Sequence, residues 1–377
     1  MKRTSRLAAA LMPALLVAAN GCAHNVDPPN VSGDTADQAQ PAQPSANSAI
    51  NSFPKPPVPT INPATQLVAH AGGDTFDGQK YTNSIDAFIN SYNEGMRVFE
   101  FDFIRLVDGT VIAAHDGLEE QVYGLPPNRF RSATLEEVQN LRFNGKYSVM
   151  FAQDIISLLR EYPDITIIAD SKWDLAETYQ AFFHIANAEN GDISVLDRLI
   201  PHVGTQEELD VMRATNPRVQ PMLAVYRTQY MQTAMTDPQI LDFVDRNQIS
   251  SVMMWEGQYD PTLTLGENSE RKQRFSPELV RDLQNRGVTC YVHTLNDVDR
   301  ARWFMGQGVH VYTDHLGPHL FIEDTSTSQQ ISNVNRPAVR PEMTISSLLQ
   351  RPDLATQTQA AAGRAVNRAF GRSTPGR

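Results

Sequence analysis

Between about Gln66 and Phe321, short apolar runs alternate with segments whose apolar residues recur every three to four positions. The runs QLVAHAG, RVFEFDFI, ITIIADS, LIPHVG, VQPMLAVY, ISSVMMW, VTCYVHT and VHVYTD predict strands. Most are apolar throughout, as parallel strands covered on both faces are. SIDAFINSYNEG, AQDIISLLREY, DPQILDFVDRNQ and SPELVRDLQNRG carry the helical period and fall between several of them. Eight strands with intervening helices over about 260 residues predict an α/β fold of the (β/α)8 TIM-barrel type. TVIAAHD adds an extra strand directly after the second barrel strand. A doubly wound open sheet is the competing architecture, but no Gly-rich dinucleotide fingerprint follows the first strand.

The pattern stops on both sides of this block. Residues 1–22 combine the basic residues Lys2, Arg3 and Arg6 with an apolar run from Leu7 to Ala19, the signature of an export signal. Its end, AANGCAH, resembles the lipobox of bacterial lipoproteins, which makes Cys22 the expected lipidation site and the lipid a membrane anchor. Simple secretion is the competing reading. Ala23 follows the cysteine, and by the same resemblance this favours sorting to an outer membrane within the cell envelope. Residues 23–60 are rich in Pro, Ala, Asn, Gln and Ser and predict a disordered tether, because they bury too little apolar surface to fold. Residues 61–324 form the barrel. The tail, 325–377, is again polar, with seven Arg against Glu342 and Asp353, a formal charge of about +5. A solvated tail is expected there, with contact to an anionic surface as the second reading.

Charge and cysteine content narrow the classes further. A net charge of -11 argues against a general nucleic-acid binder, which needs a basic face. With only Cys22 and Cys290, no disulfide framework is possible.

Polar residues in the barrel block cluster at the trailing ends of the apolar runs: His70, Glu100 and Asp102, His115, Asp170 and Lys172, His293 and Asp314. In an eight-fold barrel these ends open onto one face. Taken singly, each has an ordinary structural explanation, a hydrogen-bonded core histidine or an Asp capping the next helix. Taken together they describe a convergent site. Glu100, Asp102 and Asp170 repel one another unless a cation neutralises them, and all-oxygen ligands suit a hard ion, Ca2+ or Mg2+, over zinc. His70 and His115 titrate near neutrality and suit a base and an acid. Lys172 adds a positive charge at the same mouth. This set suits an anionic phosphodiester, whose developing charge the cations stabilise while one histidine takes a proton and the other gives one.

LVAHAGG, YTNSIDAFINSYNEGMRVFEFDF and DGTVIAAHDG resemble glycerophosphodiester phosphodiesterases, with IIADSK, GVTCYVHTLND and GVHVYTDHLGP continuing the likeness to about Phe321. The resemblance implies a TIM barrel, catalytic roles for His70 and His115, metal binding by Glu100, Asp102 and Asp170, and phosphate contact by Lys172. Asn83 matches the Asn of the family's Glu-Asn-Thr motif and is expected at the substrate. The chain departs from the family at Ala71 (Arg in the family), Thr82 (Glu) and His293 (often Trp), so the substrate pocket is expected to differ. The resemblance also implies attack by the substrate's own neighbouring hydroxyl to give a cyclic phosphate, which water then opens.

The expected activity is metal-dependent hydrolysis of a glycerophosphodiester to an alcohol and glycerol 3-phosphate. An enzyme of the phospholipase C or sphingomyelinase D-like type, acting on the headgroup of an intact phospholipid, is the alternative. A phosphodiester-binding envelope protein without turnover is the non-enzymatic one. The segment EGQYDPTLTLGENSERKQRFS after the sixth strand is expected on the active-site side as a lid or an ordinary surface loop. Trp255 just before it, together with His293, is expected to line the substrate pocket, with a barrel-core role as the competing reading for Trp255.

Overall fold

The computed structural model describes residues 62–225, 235–255 and 276–322. The expected export signal with Cys22, the expected tether, nearly all of the loop after Trp255 and the Arg-rich tail lie outside the described residues.

Eight parallel strands form a closed barrel: β1 (Leu67–Ala69), β2 (Val98–Arg105), β3 (Thr166–Ser171), β4 (Leu199–Val203), β5 (Met222–Ala224), β6 (Ser251–Trp255), β7 (Thr289–His293) and β8 (His310–Thr313). Each pairs with the next, and β1 closes the ring by pairing with both β2 and β8. All eight strands expected from the apolar runs are present. Between them lie α1 (Ile85–Asn93), α2 (Ala152–Glu161), α3 (Leu175–Asn190), α4 (Gln206–Thr215), α5 (Asp237–Asn247), α6 (Pro277–Gln284) and α7 (Val298–Gly306). The starts follow from local chemistry: Ser84, Thr205, Ser276 and Asp297 each accept a hydrogen bond from a first-turn amide, and Pro277 occupies the first turn of α6, where its missing N–H is harmless. No helix among the described residues is long and apolar enough to cross a membrane.

Alternation along the strands divides the core in two. In β2, Phe99, Phe101 and Phe103 point outward into the large core beneath the helices. Val98 points inward, where it joins Val68, Ile168, Met222, Met253, Tyr291 and Tyr312 in a separate cluster filling the barrel. Two residues after members of this inner layer stand His70, Glu100, Asp170, Trp255, His293 and Asp314, and Asp102 stands two beyond Glu100. An apolar plug therefore carries a polar layer directly above it, at the C-terminal mouth.

The extra strand is Val111–Ala113, antiparallel to the end of β2, with Met150–Phe151 pairing on its other side. Between these two strands runs an insertion the apolar pattern does not foretell. It contains short helical turns at Glu119–Tyr123 and Leu135–Val138 and a small hairpin, Arg142–Phe143 with Tyr147–Ser148. Asn144 and Gly145 turn the hairpin, both with positive φ. Its elements are too short for either period to register.

Gly73, in the turn after His70, has φ +87, and a Cβ there would lie 2.1 Å from Ser91 Oγ. That hydroxyl donates to the carbonyl of Gly72 at 2.9 Å, which holds α1 against the turn. Gly73→Ala is expected to lose roughly 1–3 kcal/mol or more, from backbone strain together with the clash. In urea unfolding its midpoint should fall, and adding Ser91→Ala should recover only part of the loss. A wild-type midpoint for Gly73→Ala would show that the turn is not held in this form.

Candidate active site

The polar layer centres on two strands. In the register of β2 with β3, Asp102 is directly opposite Asp170, and Glu100 lies one inward step below. Glu100, Asp102 and Asp170 are all buried and offer carboxylate oxygens within 4.8 Å of one another. Lys172 bridges two of them, its Nζ 2.5 Å from Asp102 Oδ1 and 2.8 Å from Asp170 Oδ2. His202, from β4, faces Asp170 with Nδ1 3.2 Å from Oδ1.

Glu100 is balanced differently. Its Oε2 accepts the backbone N–H of Ala71 at 2.8 Å and lies 3.8 Å from His70 Nε2. Its Oε1 is buried with no hydrogen-bond partner. Burial and the neighbouring Asp102 push the Glu100 carboxyl well above the usual range. Burial raises Asp102 too, but Lys172 and then His115 oppose it, and the net shift is downward. Three convergent carboxylates, one with an orphaned oxygen, fit a hard divalent cation: the donors are all oxygen and the open valence is already buried.

His70 follows β1 directly and is 4% exposed. Its Nδ1 lies 2.7 Å from Asp314 Oδ1, from the end of β8. Asp314 is held in turn by Asn296, whose Nδ2 donates to Oδ2 at 2.6 Å and whose Oδ1 accepts the Asp314 N–H at 2.9 Å. Burial lowers the His70 pKa, but the Asp314 hydrogen bond and the charges of Glu100, Asp102 and Asp314 together raise it. His293 Nε2 stands 3.1 Å from His70 Nε2, and Thr294 Oγ1 lies 2.8 Å from its Nδ1. Burial first, and the charge of His70 second, hold the His293 pKa well below the ordinary value, so its imidazole is neutral. Trp255, the cross-strand neighbour of His293, places its ring centroid 5.3 Å away.

His115 reaches the site through the extra strand. The N–H of Ala114 bonds the carbonyl of Asp102 at 3.0 Å, which sets His115 beside the carboxylates. Its side chain is 33% exposed and its Nδ1 lies 2.5 Å from the carbonyl of Asp116. Tyr81 stands between the two histidines, with ring centroids 4.8 Å from His70 and 6.3 Å from His115. Burial and the surrounding carboxylates push the Tyr81 phenol up to about 12, so it stays protonated as a donor. Beyond His115 opens a cleft of ≈ 410 Å³ between the segment Gln79–Tyr81 and the insertion.

The structure thus gathers His70, Glu100, Asp102, Asp170, Lys172, His293, Trp255 and His115 at one mouth. Asn83 lies behind it. The side chain is fully buried, and its amide clamps Asp102 by donating to Oδ2 and accepting the Asp102 N–H, both at 2.9 Å. At the departures from the family, the Ala71 methyl is enclosed, with φ 50, and Thr82 is buried with its hydroxyl 2.8 Å from Ser84 Oγ. Sequence reasoning gave no role to Asp314 and passed over His202, Asn296 and Tyr81. His202 was readable as the residue two beyond Ile200 on the inner face of β4; Tyr81 and Asn296 sit in loops, where no period points to them.

Comparison with solved structures places this architecture among known phosphodiesterases. A glycerophosphodiester phosphodiesterase from Parabacteroides distasonis matches with a TM-score of 0.50 and 14% identity, covering 69% of this chain and 96% of its own. An Oleispira antarctica phosphodiesterase, solved with the product sn-glycerol-3-phosphate, matches with a TM-score of 0.52 and 15% identity, covering 68% and 95%. Identities this low speak for the shared barrel alone. No curated protein matches in sequence. The model of the glycerophosphoryl diester phosphodiesterase family matches residues 75–317, which is most of the chain and nearly all of the barrel. By that match this chain belongs to the glycerophosphoryl diester phosphodiesterase family.

Proposed function

We propose that this phosphodiesterase hydrolyses a glycerophosphodiester to glycerol 3-phosphate and an alcohol, with His70 and His115 as its acid–base pair. The observation that carries the reading is the placement of both histidines around Tyr81, at the rim of three buried carboxylates. Glu100, Asp102 and Asp170 would hold the cation, Ca2+ or Mg2+. When bound, the ion supplies positive charge for the oxygens of the phosphoryl group.

The side chains divide the remaining work. Asp314 engages Nδ1 of His70, which fixes the ring and leaves Nε2 to exchange a proton. Neutral His293 shares that nitrogen until a substrate hydroxyl replaces it. His70 takes the proton of the attacking glycerol hydroxyl as its oxygen bonds to phosphorus. The phosphorus–oxygen bond to the alcohol breaks, the electron pair stays on the alcohol oxygen, and His115 protonates it. In the second step water gives a proton to His115 as its oxygen bonds to phosphorus, the phosphorus–oxygen bond made in the first step breaks with its electron pair on the glycerol oxygen, and His70 returns its proton to that oxygen. Lys172 lies at the mouth to meet the phosphate charge, and Asn83 acts through Asp102.

We further propose that the export signal and Cys22 place the enzyme at the bacterial envelope through a lipid anchor. The basic start, the apolar run and the cysteine that follows support this.

Three outcomes test these readings. EDTA should abolish release of glycerol 3-phosphate from a water-soluble glycerophosphodiester, and added Ca2+ or Mg2+ should restore it; full activity in EDTA would refute the metal. His115→Ala should lower kcat by about 10²–10⁴ while unfolding at the wild-type midpoint. Unchanged kcat removes His115 from the mechanism, and a preference for micellar phospholipid over the free diester moves the enzyme to the phospholipase class. In cell fractionation, Cys22→Ser should shift the protein from membranes to the soluble fraction; an unchanged distribution refutes the anchor.

A further inference from the structure

The cleft beside His115 has a chemistry of its own. Gln79, Lys80, Gln121 and Asn144 line it together with Tyr81, His115 and three apolar side chains of the insertion, and among the described residues no Asp or Glu lines it. Of the carboxylates nearby, Asp77 is held by Lys146 Nζ at 2.7 Å, by Thr75 and by the hydroxyl of Tyr147, and Asp116 Oδ1 lies 3.5 Å from His115 Nδ1. Glu119 is buried with its Oε1 unpartnered and Glu120 is exposed, and neither lines the cleft. The contacts of Asp77 also tie the segment before Gln79 to the hairpin, so the two walls are joined before any ligand arrives. Asn144 Nδ2 donates to Gln79 Oε1 at 3.1 Å, which leaves the Gln79 amide group to donate and Asn144 Oδ1 to accept.

Resting on the phosphodiesterase reading above, we infer that this cleft seats the departing alcohol and favours an uncharged, hydroxyl-rich headgroup, a polyol, over a quaternary ammonium. The phosphorus has to lie within reach of both histidines. His70 is 4% exposed and His115 is 33% exposed at the side chain, so the glycerol half faces the enclosed side and the alcohol faces the cleft. Carboxamides and an ammonium answer hydroxyls with donors and acceptors. A trimethylammonium would meet the positive charge of Lys80, and among the described residues no carboxylate lines the cleft to offset it. Among the described residues it would find no aromatic cage either. Phe143 is 4% exposed with its ring edge-on to Tyr123, centroids 5.8 Å apart, and Tyr81 is flanked by the two histidines. Lys80 also binds His315 Nδ1 at 2.9 Å, beside Asp314, and this contact holds the cation at the rim.

The test compares kcat/KM for glycerol 3-phosphate release from glycerophosphoinositol, glycerophosphoglycerol and glycerophosphocholine under one metal condition. The two polyol diesters should exceed the choline diester by at least about tenfold. Lys80→Glu, which places a carboxylate in the cleft, should shrink or invert that ratio. On the unaltered enzyme, free inositol should inhibit at lower concentration than choline, a measurement that does not depend on the variant folding. Turnover of the choline diester equal to or faster than the polyol diesters overturns this inference and leaves the phosphodiesterase reading intact. Release of product from none of the three overturns both.

Discussion

Three carboxylates on two adjacent parallel strands are the constraint to which the rest of the mouth responds. Two unit charges about 4 Å apart repel by about 4 kcal/mol at the effective dielectric of a partly buried site. Here a third joins them, and all are shut away from water. The chain meets this with graded compensation. Lys172 neutralises the pair at the rim, Asp102 and Asp170, while Asn83 fixes Asp102 from behind. Glu100, deepest, receives only the Ala71 amide and a histidine 3.8 Å away, and one of its oxygens is left without a partner. The shortfall is greatest at the depth where an ion would be most shielded from solvent.

The barrel was legible because its two periods are written plainly. Outward phenylalanines and an inward valine in β2 follow the two-residue alternation of a strand, and the same inward step from Val68, Ile168, Tyr291 and Tyr312 lands on polar residues. A reader of the sequence therefore reaches His70, Glu100, Asp170, His293 and Asp314 by counting. The His70–Asp314 contact joins residues 244 positions apart, and no local pattern encodes it; only closure of the ring brings β8 back to β1. Tyr81, Asn296 and the insertion were hidden for a different reason. They lie on irregular backbone, where position is set by hydrogen bonds such as that of Asn296 to Asp314 rather than by any repeat.

Three positions at which the resemblance would place Arg, Glu and Trp each have a local partner here. Ala71 serves Glu100 through its backbone, and its enclosed methyl leaves no cation at that position. Thr82 bonds Ser84, so the carboxylate count at the floor is three among the described residues. His293 brings a ring nitrogen where an indole would present carbon, and it uses that nitrogen on His70. The three carboxylates and both histidines stand together around these positions. Lys80, Tyr81 and the insertion form the adjoining cleft wall.

The segment Tyr81–Ser84 shows how this wall is held. Tyr81 and Asn83 both have left-handed φ, 61 and 48. Asn tolerates this region, but for a tyrosine it costs on the order of 1–2 kcal/mol. Opposing that cost are the two bonds from the Asn83 side chain to Asp102 and the Asn83 N–H to the carbonyl of Ala71 at 3.2 Å, with Ser84 capping α1 just beyond. These anchors run to β2, to the turn carrying His70 and to a helix, so the segment is fixed from three directions. A strained conformation held this firmly puts the Tyr81 ring between His70 and His115. The same bonds that orient Asp102 therefore also hold the ring that stands between His70 and His115, which joins the carboxylate floor and this rim in one hydrogen-bonded unit.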